Sequence, residues 1–220
     1  GEVSPCGKLP DTIAYNISDY PSTPYFGEDK RDFYAEDIYV GYRYFETIPD
    51  AQKCVNYPFG YGLSYTTFDI SAESAAEVEG IISVSAKVVN TGAVAGKEVL
   101  QVYFSAPQGL LGKPKYQLCA FAKTDLLAPG ESRVLSLKFN VKDMASFDDK
   151  GVICKSARVL EKGDYEIFVG NSVENLVKAY TYTLDDNVVT EQHNAYCVPK
   201  KLTKRLLPDG TYETCETGEY

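Results

Sequence analysis

Chemistry in this chain would have to begin with its carboxylates. Asp29, Asp32, Glu36 and Asp37 crowd into one short stretch, and acid/base work needs two such groups in a dry pocket where their proton affinities are driven apart. Their spacing brings no two of them together in that way, so they are expected to be solvated or structurally paired. The single histidine, His193, has no nucleophile or ligand partner at a spacing that suggests a triad or a metal site. Cys6, Cys54, Cys119, Cys154, Cys197 and Cys215 stand far apart with no C-x-x-C pair, which indicates neither zinc nor a compact disulfide framework. No metal, cofactor or catalytic residue is expected. The side chains left with binding chemistry are Tyr34, Tyr42 and Arg43: a planar guanidinium can clamp a carboxylate or a loop backbone, and each tyrosine joins an apolar ring to a polar tip.

The elements that must position these residues fall into three stretches. Residues 1–56 are rich in Pro, Asp and Tyr; Pro5, Pro10, Pro21 and Pro24 fix φ and remove amide donors, which disfavours long helices and central strands. The most regular part, residues 33–45, holds aromatics that need something outside the segment to pack against. Residues 57–68, Tyr-Pro-Phe-Gly-Tyr-Gly-Leu-Ser-Tyr-Thr-Thr-Phe, place two glycines among aromatic rings and then resume strand-like alternation, so a turn leads into a sheet. From Ser64 onward short strands separated by turns predict an antiparallel sandwich of seven or eight strands. In 81–90, Ile82, Val84, Ala86 and Val88 share one face, and Ser83, Ser85 and Lys87 the other. Further strands are expected at 99–105, at 119–127, at 133–140 with Leu135, Leu137 and Phe139 inward, at 157–160, at 164–170 with Tyr165, Ile167 and Val169 inward, and at the edge, 177–184. A helical turn is expected at 142–147. After Leu184 the sequence turns polar and irregular, and residues 187–220 are expected to be a tail or linker with Lys200, Lys201, Lys204 and Arg205 solvated.

Composition narrows the function. With 220 residues and 44% hydrophobic content the chain can bury a core. A net charge of −9 repels nucleic-acid phosphates, and no apolar run is long enough to span a bilayer. No export signal is visible, so free thiols in a cytoplasmic rather than a secreted setting are expected.

Four blocks of sequence carry a resemblance: Gly7-Lys8-Leu9-Pro10; residues 34–45; Pro58 to Phe68; and a set comprising Val89-Asn90-Thr91-Gly92, residues 95–99, residues 128–132, and residues 163–170. In that order they resemble the C-terminal portion of glycoside hydrolase family 3 enzymes, the β-glucosidase and β-xylosidase group, over about residues 1–184. The resemblance implies a mainly β chain: the end of an α/β sandwich domain and a linker over 1–56, then a fibronectin type III-like, immunoglobulin-like antiparallel sandwich with its entry motif over 57–186. The tail over 187–220 would suit a linker leading to a barrel, as in the family members whose domain order is permuted. Retaining glycoside hydrolysis needs two carboxyl groups about 5–5.5 Å apart, and the resemblance places both outside this chain, on the missing α/β sandwich and (β/α)8 barrel domains, which become its expected partners.

Ser18-Asp19-Tyr20 imitates the family's nucleophile motif but lies between prolines, so it is read as structural. The substrate implied is a β-glucoside or related oligosaccharide, and the chain alone is expected to be inactive. Tyr34, Tyr42 and Arg43 are candidates for the substrate rim, with packing between domains the favoured role; the loop 107–117 could also reach that rim. Asp37 stands where the family often has glycine. The competing reading is a stand-alone interaction or carbohydrate-binding module.

Overall fold

The structure is a computed structural model describing residues 2–27, 32–196 and 202–215. Alternation decides its main body. Ile82, Val84, Ala86 and Val88 are fully buried in strand Ile81–Asn90, while Ser83, Ser85 and Lys87 stay partly exposed. A slip of one residue would drive serines and a lysine into the core, so the register is firmly set. That strand is the centre of a three-stranded antiparallel sheet, between Phe68–Val78 and Ser132–Asn140. Facing it is a four-stranded sheet in the order Asn175–Leu184, Gly163–Ser172, Val99–Ser105 and Gln117–Lys123. Leu100, Val102, Phe104, Tyr165, Ile167 and Val169 close the core from that side. Tyr165 anchors the turn into its strand by donating its hydroxyl to the Glu161 carbonyl at 3.0 Å, and burial pushes its phenol up to about 12.

Two polar groups tie the sandwich to its entry. Asn90 is fully buried; its amide donates to the carbonyls of Val94 (2.8 Å) and Leu127 (2.9 Å) and its oxygen accepts the Thr66 hydroxyl at 2.6 Å. A buried amide satisfied in this way fixes three loops at once.

Three local expectations are corrected. The strand expected over 119–127 pairs regularly only over Gln117–Lys123; Thr124 leaves the sheet because its amide goes to the Glu98 carbonyl (2.9 Å) and its hydroxyl accepts the Glu98 amide (3.0 Å). The helical turn expected over 142–147 is a 3₁₀ turn at Val141–Met144, after which Ser146–Asp148 forms a strand against Ala157–Leu160.

The segment after Leu184 is not an irregular solvated tail. Val188–Gln192 pairs antiparallel with Ala157–Leu160, and Lys204–Leu206 pairs with Tyr212–Thr214 as a hairpin. Burial explains the hairpin: Leu206 completes a second core with Ala14, Tyr39, Phe45, Ile48 and Ala51, and so covers part of the aromatic stretch that needed an outside partner. Lys204 and Arg205 are engaged rather than solvated, as described below; Lys200 and Lys201 lie outside the described residues.

Candidate functional site: the junction and its cavity

The glycines of the entry motif allow the two bodies to touch. Gly60, at φ +81°, donates its amide to the Leu9 carbonyl (2.9 Å), and Leu9 returns its own amide to the Tyr61 carbonyl (2.8 Å). On the opposite side the Val173 amide donates to the Phe59 carbonyl (3.1 Å). One short motif therefore hydrogen-bonds both to the Gly7–Pro10 block and to the sandwich. Gly62 packs so closely on Gly7 that a Cβ there would stand 2.3 Å from the Gly7 carbonyl oxygen.

Tyr42 is the second pin. It opens the helix Tyr42–Thr47, entered through Gly41 at φ +57°. Its hydroxyl accepts the Leu118 amide at 3.0 Å, and its ring lies 4.6 Å from Phe59 and 6.2 Å, edge-on, from Tyr103. At the end of the same helix the Thr47 hydroxyl accepts the Lys115 amide at 2.8 Å. Between these contacts burial raises Glu46 to about 7, with Lys115 pulling it down and Glu174 pushing it up.

Arg43, one residue on, faces elsewhere. It lines a cavity of about 660 Å³ whose other walls include Leu110, Phe147, Arg158, Arg205 and Pro208. Its guanidinium has no hydrogen-bond or ion-pair partner among the described residues. The carboxylates on the cavity wall, by contrast, are all committed. Asp37 and Asp149 bind Arg205 at 3.2 and 2.9 Å, and Glu213 binds Arg205 at 2.8 Å and also Lys150. Asp143 accepts the Asn140 amide (3.2 Å). Asp148 accepts four successive amides, Gly151 to Cys154, at 2.7, 3.1, 2.7 and 2.9 Å. Carboxylates held in this way offer no free acid/base pair. What the cavity has to give is a spare guanidinium, which suits binding and not bond cleavage.

The structure does not unite the three candidates from sequence. Tyr34 is 73% exposed, Tyr42 is wedged in the junction, and neither lines the cavity that Arg43 faces. Asp19 of the Ser18-Asp19-Tyr20 triplet receives the Asn16 amide at 3.0 Å, and the Tyr20 hydroxyl donates to the Thr12 carbonyl at 3.0 Å, so the triplet shapes a turn. In the acidic stretch, Asp32 accepts the Gly27 amide (3.2 Å), Glu36 is buried with one oxygen unpartnered, Asp37 is paired, and Asp29 lies outside the described residues. His193 sits 3.3 Å from Glu191. Cys6, Cys54, Cys119, Cys154 and Cys215 carry free thiols; Cys197 is outside the described residues. No group of three or more metal-ligating side chains gathers among the described residues, nor is any helix there long and apolar enough to cross a membrane.

Sequence reasoning missed the pair that fixes the loop 107–117. Glu161 and Lys113 form a buried ion pair, and the same carboxylate takes the Leu110 and Leu111 amides at 2.6 and 3.1 Å. Only a lysine inside a loop bearing Gly109 and Gly112 hinted at it. Nothing in the sequence placed the partner carboxylate beside it.

Comparison with known proteins agrees with this geometry. The family model of the fibronectin type III-like domain matches residues 98–173. The chain is 52% identical to β-glucosidase A of Butyrivibrio fibrisolvens, over 97% of this chain and 28% of that protein. It is 49% identical to a β-glucosidase of Ruminococcus albus, over 94% of this chain and 22% of that one. Among solved structures, a β-glucosidase from Paenibacillus barengoltzii superposes with a TM-score of 0.87 at 49% identity, covering 98% of this chain and 25% of its own. β-Glucosidase 3B of Thermotoga neapolitana, solved with glucose, covers 86% of this chain with a TM-score of 0.76 at 42% identity. The chain thus spans about a quarter of the length of the relatives it matches.

Proposed function

Because the chain belongs to glycoside hydrolase family 3 as a C-terminal portion containing the fibronectin type III-like domain, we propose that it is the non-catalytic scaffold of a retaining β-glycosidase acting on terminal β-linked sugars. One observation carries this reading. The chain matches β-glucosidases along nearly its whole length yet accounts for only 28% and 22% of two of them, and the carboxylates lining the cavity at Arg43 are all bound in structural contacts. The reacting pair then comes from the remaining α/β sandwich and barrel domains. The role of this chain is to hold those domains so that the two carboxyls stay at reacting distance, where small displacements are costly.

The surface available for that docking is on the N-terminal segment, where Tyr15, Ile17, Phe26, Tyr34 and Val40 are all more than half exposed. Tyr34 belongs to this docking face, Tyr42 to the internal junction, and Arg43 offers its free guanidinium to an acceptor from the other domains. The net charge of −9 argues against nucleic-acid phosphates as a partner.

An aryl β-glucoside assay tests the scaffold role. The isolated chain is expected to give no turnover, and the complete enzyme to hydrolyse the substrate. Turnover by the chain alone would refute the reading, and an inactive complete enzyme that binds carbohydrate would favour the binding-module alternative.

A further inference from the structure

Arg205 sits where three stretches of chain meet. Its side chain is 14% exposed, and its nitrogens reach Asp37 of the N-terminal segment, Asp149 beside the sandwich, and Glu213 of its own hairpin. The rest of the hairpin makes the same connection in other chemistry. The Leu206 amide donates to the Ala35 carbonyl at 2.7 Å, and the Leu206 side chain enters the second core. The Lys204 ammonium lies over the rings of Tyr25 (5.0 Å) and Tyr212 (4.7 Å). Pro208 and the Tyr39 hydroxyl crowd Gly112 of the sandwich loop, so that a Cβ there would meet them at 3.3 and 2.9 Å. Asp37 holds φ +52°, a left-handed backbone that is strained for a residue with a side chain and persists only where its surroundings hold it. Its bond to Arg205 is such a constraint.

We propose that the hairpin Lys204 to Thr214 is a latch, and that Arg205 is a positioning residue for the enzyme, an inference that rests on the scaffold role proposed above. The entry motif and Tyr42 attach the N-terminal segment to the sandwich along one side, and an attachment on one side leaves a hinge. The hairpin is a second attachment, through Asp37 and Ala35 on the segment and Asp149 and Gly112 on the sandwich, and two separated attachments remove the hinge. Charge makes the latch depend on Arg205: without it, the carboxylates of Asp37, Asp149 and Glu213 face one another with Lys150 as the remaining cation bonded among them, and like charges at partly buried positions repel. The alignment with the Paenibacillus enzyme covers 98% of this chain, which takes in the hairpin, so the element recurs in a working β-glucosidase fold.

The test uses the complete enzyme with Arg205→Met, Arg205→Lys and Asp37→Gly. Hydrogen exchange over residues 33–47 and 108–115 is measured together with aryl β-glucoside kinetics well below the melting transition. Arg205→Met is expected to speed exchange in both segments and to lower kcat/KM by about 3- to 30-fold, the range of coupling through a packed network, with Arg205→Lys intermediate. Asp37→Gly, which relieves the backbone while deleting one arm of the latch, is expected to speed exchange in 33–47 and keeps the test open should Arg205→Met misfold. A lower melting temperature with exchange and kcat/KM unchanged overturns the latch. If the unmutated enzyme shows no glycosidase activity the scaffold role fails, and the exchange data alone then decide for or against the latch.

Discussion

Gly60 lies against the side chain of Gln101 with no room for a carbon: a Cβ would stand 2.8 Å from Nε2 and 2.9 Å from Oε1. Gln101 cannot step aside, since it donates to the Asn171 carbonyl at 2.9 Å and accepts the Tyr103 hydroxyl deep in the sandwich. The Cα of Ser172, also 2.9 Å away, blocks the remaining direction. With φ at +81° besides, Gly60→Ala combines backbone strain with a clash at the joint between the two bodies. Its expected cost is about 2–4 kcal/mol, read as a shift of the denaturant midpoint, whereas Gly80→Ala, at a turn with open space, should cost clearly less.

Glu161→Ala is expected to be among the most damaging single changes in the sandwich, at about 3–5 kcal/mol. It leaves the Lys113 ammonium, 1% exposed, without its counter-charge, and two amides without their acceptor. Lys113→Met should cost less, because the Glu161 carboxylate keeps the Leu110 and Leu111 amides. Thermal denaturation ranks the two, and limited proteolysis within 107–117 should accelerate first in Glu161→Ala.

Glu46 predicts a pH dependence. Burial lifts its folded value to about 7 from an ordinary 4.5, so the folded state favours the protonated acid. Stability from this group is full below about pH 4.5 and is lost as pH rises through 7. Glu46→Gln should accordingly be close to neutral at pH 4 and stabilising at pH 8, on the order of 1–2 kcal/mol once its partial exposure is allowed for. Urea midpoints at the two pH values check the sign.

Asp148 predicts the opposite dependence. Burial alone would raise its carboxyl, but four backbone amides hold it below the ordinary 3.8. Its contribution is therefore present above pH 4 and lost as pH falls through the lower folded value. Asp148→Ala removes the acceptor shared by the turn Gly151 to Cys154 and should cost on the order of 3 kcal/mol. Asp148→Asn, which keeps an acceptor but loses the charge, should fall between. Acid unfolding followed by circular dichroism distinguishes them.

Much of the fold was legible because period-two burial is a local signal. Ile82 to Val88 and Tyr165 to Val169 name their own inward faces, and the turn after Ala128 needs only the nearby Pro129 and Gly130. The extent of the third strand misled because Thr124 and Glu98 trade hydrogen bonds across 26 positions. The segment after Leu184 misled more. Lys204 and Arg205 precede Leu206 and Pro208 and Asp209 follow close behind, and one buried leucine gives no periodicity, so only the distant Ala14, Tyr39 and Phe45 reveal why it folds back.

By itself the sequence determined the sandwich, the entry motif that joins it to the preceding segment, and the family to which both belong, because each is written in short-range patterns of apolar alternation, glycine and aromatic spacing. Tertiary structure alone decided which charges meet. Arg205 finds Asp37 across 168 positions, Lys113 finds Glu161 across 48, and Arg43 finds no carboxylate at all among the described residues. Ion pairing is a matter of distance in space and of burial, and neither is encoded in the order of neighbouring residues.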